Sequence, residues 1–527
     1  MPRSDAARLP WGRDSTGTQR ATRLPEPVIV ISVLSTNHAY HCPYLSPPGH
    51  LTLNFVNREE ELAELRALAE RPEPSLALLY GRRRMGKTFL LSRAWADRRH
   101  LYYLAADSTQ RANRGEFVRE MARWSGQDLR EADFPSWRTI FRFLVGLADD
   151  DPLVVVFDEV QYLLGGEDDF ASNLVAVWDR ELRSRALTLV LCGSEVGVMG
   201  RLRAGDSPLY GRINWAARLR PFDYLTAREM VPGLDLREAA EAYGIFGGTP
   251  RYLSVVGEAR RLREPVIRSL LSPRGEVHLQ LETLIEQEKG IREPAEYRAV
   301  LAAVAAGRTL HNDIAAAAGL LDRPQTARRA LSVLGDLGLV WRERNHAASP
   351  RTPWRSRVAD NAVRFWYRFV YPNRSRLETG SAELVWAESV APNVATYMGP
   401  VFEEIGREAY RRHHPRWGLP GARTWSRWEG ADRSRRSMDI DMVAELDDGS
   451  MLTGEVKWSS RPIDHEVHVH LTRDLAALSD SGHAWAGRAL SQSGHHVYVS
   501  AAGFTEHFRE RAAEHGRIRL VGLDDLY

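Results

Sequence analysis

Cysteine is nearly absent from this chain of 527 residues: Cys42 and Cys192 are the only two. A disulfide framework beyond one bridge is therefore excluded, and with no CxxC spacing so is the usual thiolate metal site. Such usage suits a reducing, cytoplasmic setting. An excess of one charge is also lacking. The 71 basic and 69 acidic residues leave a net charge of +2, so any nucleic-acid-binding surface must be local. Long apolar runs are missing too. The longest near the N-terminus, Val28–Leu34, falls far short of the roughly 20 residues a membrane helix needs. It follows a polar, arginine-containing lead without a cleavage site, which argues against a signal peptide. No membrane association is expected. There is no internal repeat and no low-complexity tract.

What is present is enough apolar residue, 43%, for about three domains with their own cores. Residues 1–50 read as a disordered extension, or as the product of a start codon placed too early. From Phe55 the signals become regular. An amphipathic helix carries Leu62, Leu65 and Leu68 on one side. Four apolar strands then alternate with helices: SLALLYG, LYYLAA (Leu101–Ala106), PLVVVFDEV and LTLVLCGS, with a helix over Ala171–Arg185 before the last. That alternation predicts an α/β fold with a parallel sheet covered on both faces.

GRRRMGKT, Gly81–Thr88, lies between a strand and a helix. In that context a GxxxxGKT loop turns its backbone N–H groups towards phosphate, and the helix N-terminus adds positive potential. Gly81 and Gly86 permit the turn, Lys87 is expected to reach the phosphates of ATP, and the Thr88 hydroxyl to bind Mg²⁺. The nucleotide-lining set is Gly81, Arg82, Arg83, Arg84, Met85, Gly86, Lys87, Thr88, Phe89, Asp158 and Ser194; the three arginines carry no assigned chemistry. Asp158 and Glu159 close a buried strand, where ligands bind in such sheets. Asp158 is the expected metal-shell residue, and Glu159 the residue that orients or deprotonates water. Ser194 ends the next strand as a γ-phosphate sensor or a packing residue. Arg212, in PLYGR, is expected either to stabilise the transferring phosphoryl group, in cis or from a neighbouring copy in a homo-oligomer, or to be a surface arginine.

The ordered series NREEEL, GRRRMGKT, FDEVQYL, LCGSEVGVM, PLYGR and YGIFGGTPRYL resembles the archaeal-type ATPase family, a P-loop group of the AAA/STAND class, over Asn54–Asn345. The resemblance implies a P-loop ATPase core, expected over 51–225, a helical lid over 226–294 and a winged-helix domain over 295–350, with a linker over 351–395 and a C-terminal α/β domain over 396–527 to follow.

Residues 295–345 show a helix-turn-helix rhythm: Ala295–Ala306, a second helix from His311, and a third from Arg323 packing Ala330, Leu331, Leu334 and Leu337, with Gly338 ending it. If this unit meets DNA, Arg323, Gln325, Thr326, Arg328 and Arg329 would enter the major groove, and Arg342 and Arg344 would meet phosphates. The alternative is that it packs only on protein.

In SMDIDMVAELDDGSMLTGEVKW the alternation and the DDG turn predict a hairpin. Asp439 and Asp441 share one face of its first strand, Glu455 and Lys457 one face of the second. Pairing would bring Asp441 beside Glu455 as a two-carboxylate metal site, with Lys457 steadying charge and Glu403 adding a carboxylate from a helix. This arrangement resembles the PD-(D/E)XK nuclease fold, Asp441 and Glu455-Val456-Lys457 matching its D and ExK elements. Val358–Tyr527 as a whole resembles the uncharacterised domain often fused to these ATPases. In DHEVHVHL, His465, His468 and His470 read as a polar strand edge or, alternatively, as metal ligands. Trp354 and Trp366 read as core. Two functional expectations follow. One is an ATP-driven enzyme whose nucleotide state controls a nuclease-like half acting on nucleic acid. The other is a STAND-like switch whose C-terminal domain only binds a partner.

Overall fold

The computed structural model describes residues 56–148, 152–166, 169–182, 185–288 and 291–527. The expected extension over 1–50 lies outside the described residues, as does Cys42. Five parallel strands form the first sheet: β1 (Ser75–Tyr80), β2 (His100–Leu104), β3 (Leu153–Asp158), β4 (Leu187–Gly193) and β5 (Trp215–Arg218), in the order β2-β3-β4-β1-β5. β1, β3 and β4 are buried along their whole length, as their unbroken apolar runs require. Alternate residues enter separate cores. Leu76, Leu78, Val155 and Phe157 face one cluster, and Ala77, Leu79, Val154 and Val156 the other. Phe157 anchors the first cluster against Phe170 and Phe117, with ring centroids 4.9 and 5.1 Å away. The strand order sets β4 between β1 and β3, so the loop after β1 and the acids after β3 flank the end of β4.

Short helices follow β5. Three further helices, Pro294–Ala305, His311–Ala317 and Pro324–Asp336, are joined to an antiparallel pair, β6 (Val340–Glu343) and β7 (Arg355–Val358). The third helix buries Ala330, Leu331 and Leu334. The stretch expected as a linker is a chain of packed helical segments, with Phe365, Trp366 and Phe369 buried. Trp354 corrects the reading: it is not core but 48% exposed.

The C-terminal sheet is mixed. β8 (Ala422–Ala431), β9 (Ser437–Leu446) and β10 (Met451–Lys457) are antiparallel neighbours; β11 (His495–Ser500) and β12 (Ile518–Gly522) continue parallel to β10. The Asp447–Gly449 turn joins β9 to β10, with Gly449 at φ 83° and the Asp448 carboxylate accepting from Ser450 N at 2.9 Å. The helix Val394–His413 packs on this sheet. One apolar core runs from β1 to Leu526, and the Tyr224 hydroxyl donates to Leu526 O at 2.7 Å. Among the described residues no helix is long and apolar enough to cross a membrane.

The histidine-rich stretch is a helix, Glu466–Asp480, not a strand edge. His468 and His470, two apart, therefore point to different sides. His468 Nδ1 lies 2.7 Å from the Tyr498 hydroxyl, while His470 faces solvent beside Glu466. Among the described residues no three His, Cys, Asp or Glu side chains gather to hold a metal. His468 and His496 instead meet edge to face with ring centroids 5.2 Å apart, and His496 Nδ1 meets Thr453 Oγ1 at 2.9 Å. Burial holds His468 down at about 4 and His496 at about 3. Both are neutral when folded and bind protons only when unfolded, so their contribution is complete above pH 6.5 and lost as pH falls. His496→Gln is expected to flatten the acid limb of thermal stability between pH 6.5 and 4, recovering about 2 kcal/mol of the wild-type loss by pH 5. Parallel pH profiles of melting temperature for the two proteins would refute this.

Candidate functional site

The loop between β1 and the helix Lys87–Ala94 encloses one side of a cavity of about 400 Å³, a size typical of small-ligand sites. Gly86 stands at φ 84°, and a Cβ on Gly81 would meet Leu219 O at 2.5 Å, so both glycines are required by the backbone. Residues Arg83 to Phe89 line the cavity, with Glu159 across from them. Lys87 is buried, its Nζ donating to Gly81 O at 2.8 Å and Arg82 O at 3.1 Å. An ammonium parked on loop carbonyls is ready to exchange them for phosphate oxygens.

Asp158 ends β3, buried beneath Thr88, whose Oγ1 donates to it at 3.2 Å; the Tyr102 hydroxyl also donates to it. Burial, followed by the Asp158 charge, pushes the Tyr102 phenol far up, so it stays a donor. Glu159 sits in the left-handed region at φ 53°, a conformation that a non-glycine residue adopts at a cost and that is concentrated at functional sites. Its Oε2 accepts from Ser194 Oγ at 2.7 Å and from Gln161 Nε2, and Gln161 also donates to Ser194 at 3.3 Å. Ser194 is thus an anchor for Glu159. These groups fit a nucleotide and its divalent cation: the backbone cradle admits no Cβ at Gly81, and the Thr88 hydroxyl and Asp158 carboxylate already meet.

The rest of the cavity was not foreseen. Val56, Phe222, Met230 and Pro250 supply an apolar wall, and the Arg58 guanidinium lies 5.1 Å from the Phe222 ring centroid. Asn57 and Arg58 have positive φ, and Arg58 donates to Arg220 O at 2.5 Å, fixing this entry strip. NREEEL was visible in the sequence, but nothing in it said that its first residues fold back onto the cavity.

Two expected residues lie elsewhere. The Arg82 side chain turns away from the cavity into a buried ion pair with Asp360, which lies just beyond β7. Burial alone would lower the Arg82 guanidinium, but the Asp360 charge outweighs it and holds it up. Arg212 does not reach the cavity either. Its Nε and Nη2 clamp Asp179 at 3.0 and 2.6 Å, and its Nη1 donates to Pro208 O.

In the C-terminal sheet Asp441, Glu455 and Lys457 converge. Lys457 Nζ lies 3.2 Å from Asp441 Oδ2 and 2.5 Å from Glu455 Oε2, and Val456 N donates to Asp441 Oδ2 at 3.0 Å. Burial, then the Asp441 charge, raises the Glu455 carboxyl; burial and Asp441 raise Glu403 likewise. Burial would lower the Lys457 ammonium, but the two carboxylates override it and hold it up. Glu403 accepts from Arg427 at 3.2 Å. Asp439 is exposed, 3.7 Å from Arg427, and stands apart from the convergence. On the helix Pro324–Asp336, Gln325, Arg328 and Arg329 are exposed, Thr326 is half-buried, and the preceding Arg323 pairs with Glu296 at 2.5 Å.

A parallel sheet with a phosphate loop on one strand and a paired Asp-Glu on a near neighbour defines a P-loop ATPase domain. Residues 55–256 match a family described as an ATPase domain predominantly from Archaea, and residues 366–469 match one described as archaeal and bacterial proteins of unknown function. The chain is 26% identical over 414 residues to an uncharacterised protein of Methanocaldococcus jannaschii, covering 77% of this chain and 87% of that one. Among solved structures it is similar to the Walker-type ATPase PABY2304 of Pyrococcus abyssi, at 24% identity, 59% and 96% coverage and a TM-score of 0.45. It is also similar to the ORC2 protein of Aeropyrum pernix, at 14% identity, 64% and 98% coverage and a TM-score of 0.42.

Lys87→Ala is expected to abolish binding of a fluorescent ATP analogue. Glu159→Gln should keep binding and lose hydrolysis by at least ~100-fold; loss of both in Glu159→Gln would show a purely structural glutamate. For the buried pair, Arg82→Ala or Asp360→Ala alone should each cost about 3–5 kcal/mol by stranding its partner. The double variant should cost clearly less than the sum in a denaturation cycle. Simple additivity would mean the two charges are not coupled.

Proposed function

We propose that the chain binds and hydrolyses ATP, and that its nucleotide state controls a winged-helix and nuclease-like C-terminal half acting on nucleic acid. In this reading the loop amides and Lys87 hold the phosphates, Thr88 and Asp158 hold Mg²⁺, and Glu159 takes the proton of the attacking water. The bound cation supplies charge neutralisation on the phosphates. Ser194 and Gln161 hold the Glu159 carboxylate in place until the phosphate is present. Arg212 has a role only as a residue offered to another copy, because its own cavity lies out of reach.

The nuclease-like reading is carried by one observation: Asp441, Glu455 and Lys457 meet within hydrogen-bonding distance across the β9–β10 hairpin. Two carboxylates can hold a divalent cation beside a phosphodiester, and Lys457 can offset charge on the scissile phosphate. Three helices followed by the β6–β7 pair support the winged-helix assignment, with Gln325, Thr326, Arg328 and Arg329 as the groove-facing set. A second reading, a STAND-like switch, is favoured by the same lysine. Lys457 already ion-pairs with both carboxylates, so the cluster has a partner for each without a cation.

The test is cleavage of plasmid, single-stranded DNA and RNA with Mg²⁺ or Mn²⁺, with and without ATP. Wild type should cut, and Lys457→Ala and Asp441→Asn should lose cutting by at least ~100-fold while ATP hydrolysis persists. Absence of cutting on every substrate, with hydrolysis intact, would leave the switch.

A further inference from the structure

Between the ATPase sheet, the β6–β7 pair and the helix Val394–His413 runs a cleft of about 930 Å³. It shares Phe222 with the nucleotide cavity, and it meets the helix Pro324–Asp336 at Gly335, away from the N-terminal end expected to meet DNA. Its carboxylates are already matched: Glu404 with Arg364 at 2.6 Å, Glu408 with Arg411 at 3.2 Å, Asp223 with Arg412, and Glu343 with Arg357. Four arginines on its walls are not. Arg218, Arg220, Arg342 and Arg344 have no carboxylate within ion-pair distance among the described residues. Arg218 donates to Asp336 O, and Arg344 Nη2 to Pro350 O at 3.2 Å, both main-chain carbonyls. Burial pulls the Arg218 guanidinium down, and Arg220 and Arg82 beside it add to that. Like charges gathered in a cleft without counter-ions favour an incoming anion.

Aromatic rings alternate with these arginines. Trp354 is 48% exposed, with the Arg344 guanidinium 4.3 Å from its ring centroid. Trp341 lies 5.5 Å below Arg407, and Trp425 forms part of the wall. Guanidinium groups beside an exposed indole are the chemistry of single-stranded nucleic acid, whose splayed bases stack while phosphates meet cations. A duplex demands the opposite shape, because its major groove receives a protruding element.

We propose that this cleft binds single-stranded nucleic acid, with Arg218, Arg220, Arg342 and Arg344 taking phosphates and Trp354 stacking on a base. The strand's fate rests on the nuclease-like reading. The cleft runs along the helix that carries Glu403, and Arg427, which binds Glu403, follows the lining residues Trp425 and Ser426. A strand held there leads towards Asp441 and Glu455.

The experiment is fluorescence anisotropy of labelled oligothymidylate, oligouridylate and a DNA duplex with the full chain in EDTA, over a salt series. Wild type should prefer the single strands. Arg220→Glu/Arg342→Glu should weaken single-strand binding at least ~10-fold and reduce the salt slope by about 1–2. Trp354→Ala, at an exposed position, should weaken it about 10-fold with little change in slope. Binding unchanged in both cleft variants, or single-strand binding lost only in Arg328→Glu/Arg329→Glu, would overturn the proposal. Cleft-dependent binding without cleavage under the earlier assay would keep it and remove the nuclease-like reading instead.

Discussion

The buried ion pair between Arg82 and Asp360 joins the phosphate loop to the other half of the molecule. Two charges taken from water are tolerable only when their partners are held in register. Asp360 is held by the role it also plays as the cap of the helix Asn361–Phe365, where it accepts from Val363 N at 3.2 Å. From that helix Arg364 donates to Glu404 at 2.6 Å and to Val358 O at 2.7 Å. Glu404 is the neighbour of Glu403 on the helix that packs against the C-terminal sheet. The shape of the phosphate loop and the position of the carboxylate site are therefore specified together. A loop that moves on nucleotide loading must carry Asp360 with it or strand a charge. This is a physical basis for coupling, and it becomes an allosteric one only through a second state of that contact.

The two acidic sites solve the problem of buried negative charge differently. Asp158 is surrounded by hydroxyl donors, Thr88 and Tyr102, which stabilise a carboxylate without cancelling it. Its charge remains available to a cation. Asp441 is given an ammonium, Lys457, and a main-chain N–H, and the same ammonium serves Glu455. With the Glu455 and Glu403 carboxyls both raised by burial and by Asp441, the resting cluster carries less negative charge than its residue count implies. A cation entering there must displace protons and the lysine, so such a site is gated by whatever shifts Lys457.

The parts legible in the sequence were those with a local physical signature. Buried strands write themselves as apolar runs, which made β1, β3 and β4 visible, and the glycine spacing before Lys87 marked the loop. The β9–β10 hairpin was legible because alternation and an Asp-Asp-Gly turn are both short-range. β5 was missed because NWAAR has no apolar run; the strand exists only through its pairing with Ala77–Tyr80. The valine–histidine alternation after His465 imitated a period of two and hid a helix whose apolar face, Leu471, Leu475 and Leu478, lies further on. Arg82 lies outside the nucleotide cavity because the partner that decides its side chain, Asp360, is 278 residues away in sequence.

That distance also explains why the arginine–tryptophan cleft left no motif. Its walls come from β5 and the residues after it, from the β6–β7 pair, from Val394–His413 and from β8, none of which is unusual alone. The continuous core from β1 to Leu526 brings them together and keeps them apart at a fixed spacing. Close-packed interiors do not deform smoothly, so the cleft can change width only if the elements around it shift as bodies. The loop-to-Asp360 contact borders the same cleft through Arg82. The position of one guanidinium thus bears on nucleotide, on the wall of the cleft and, through Arg364 and Glu404, on the helix beside the carboxylates.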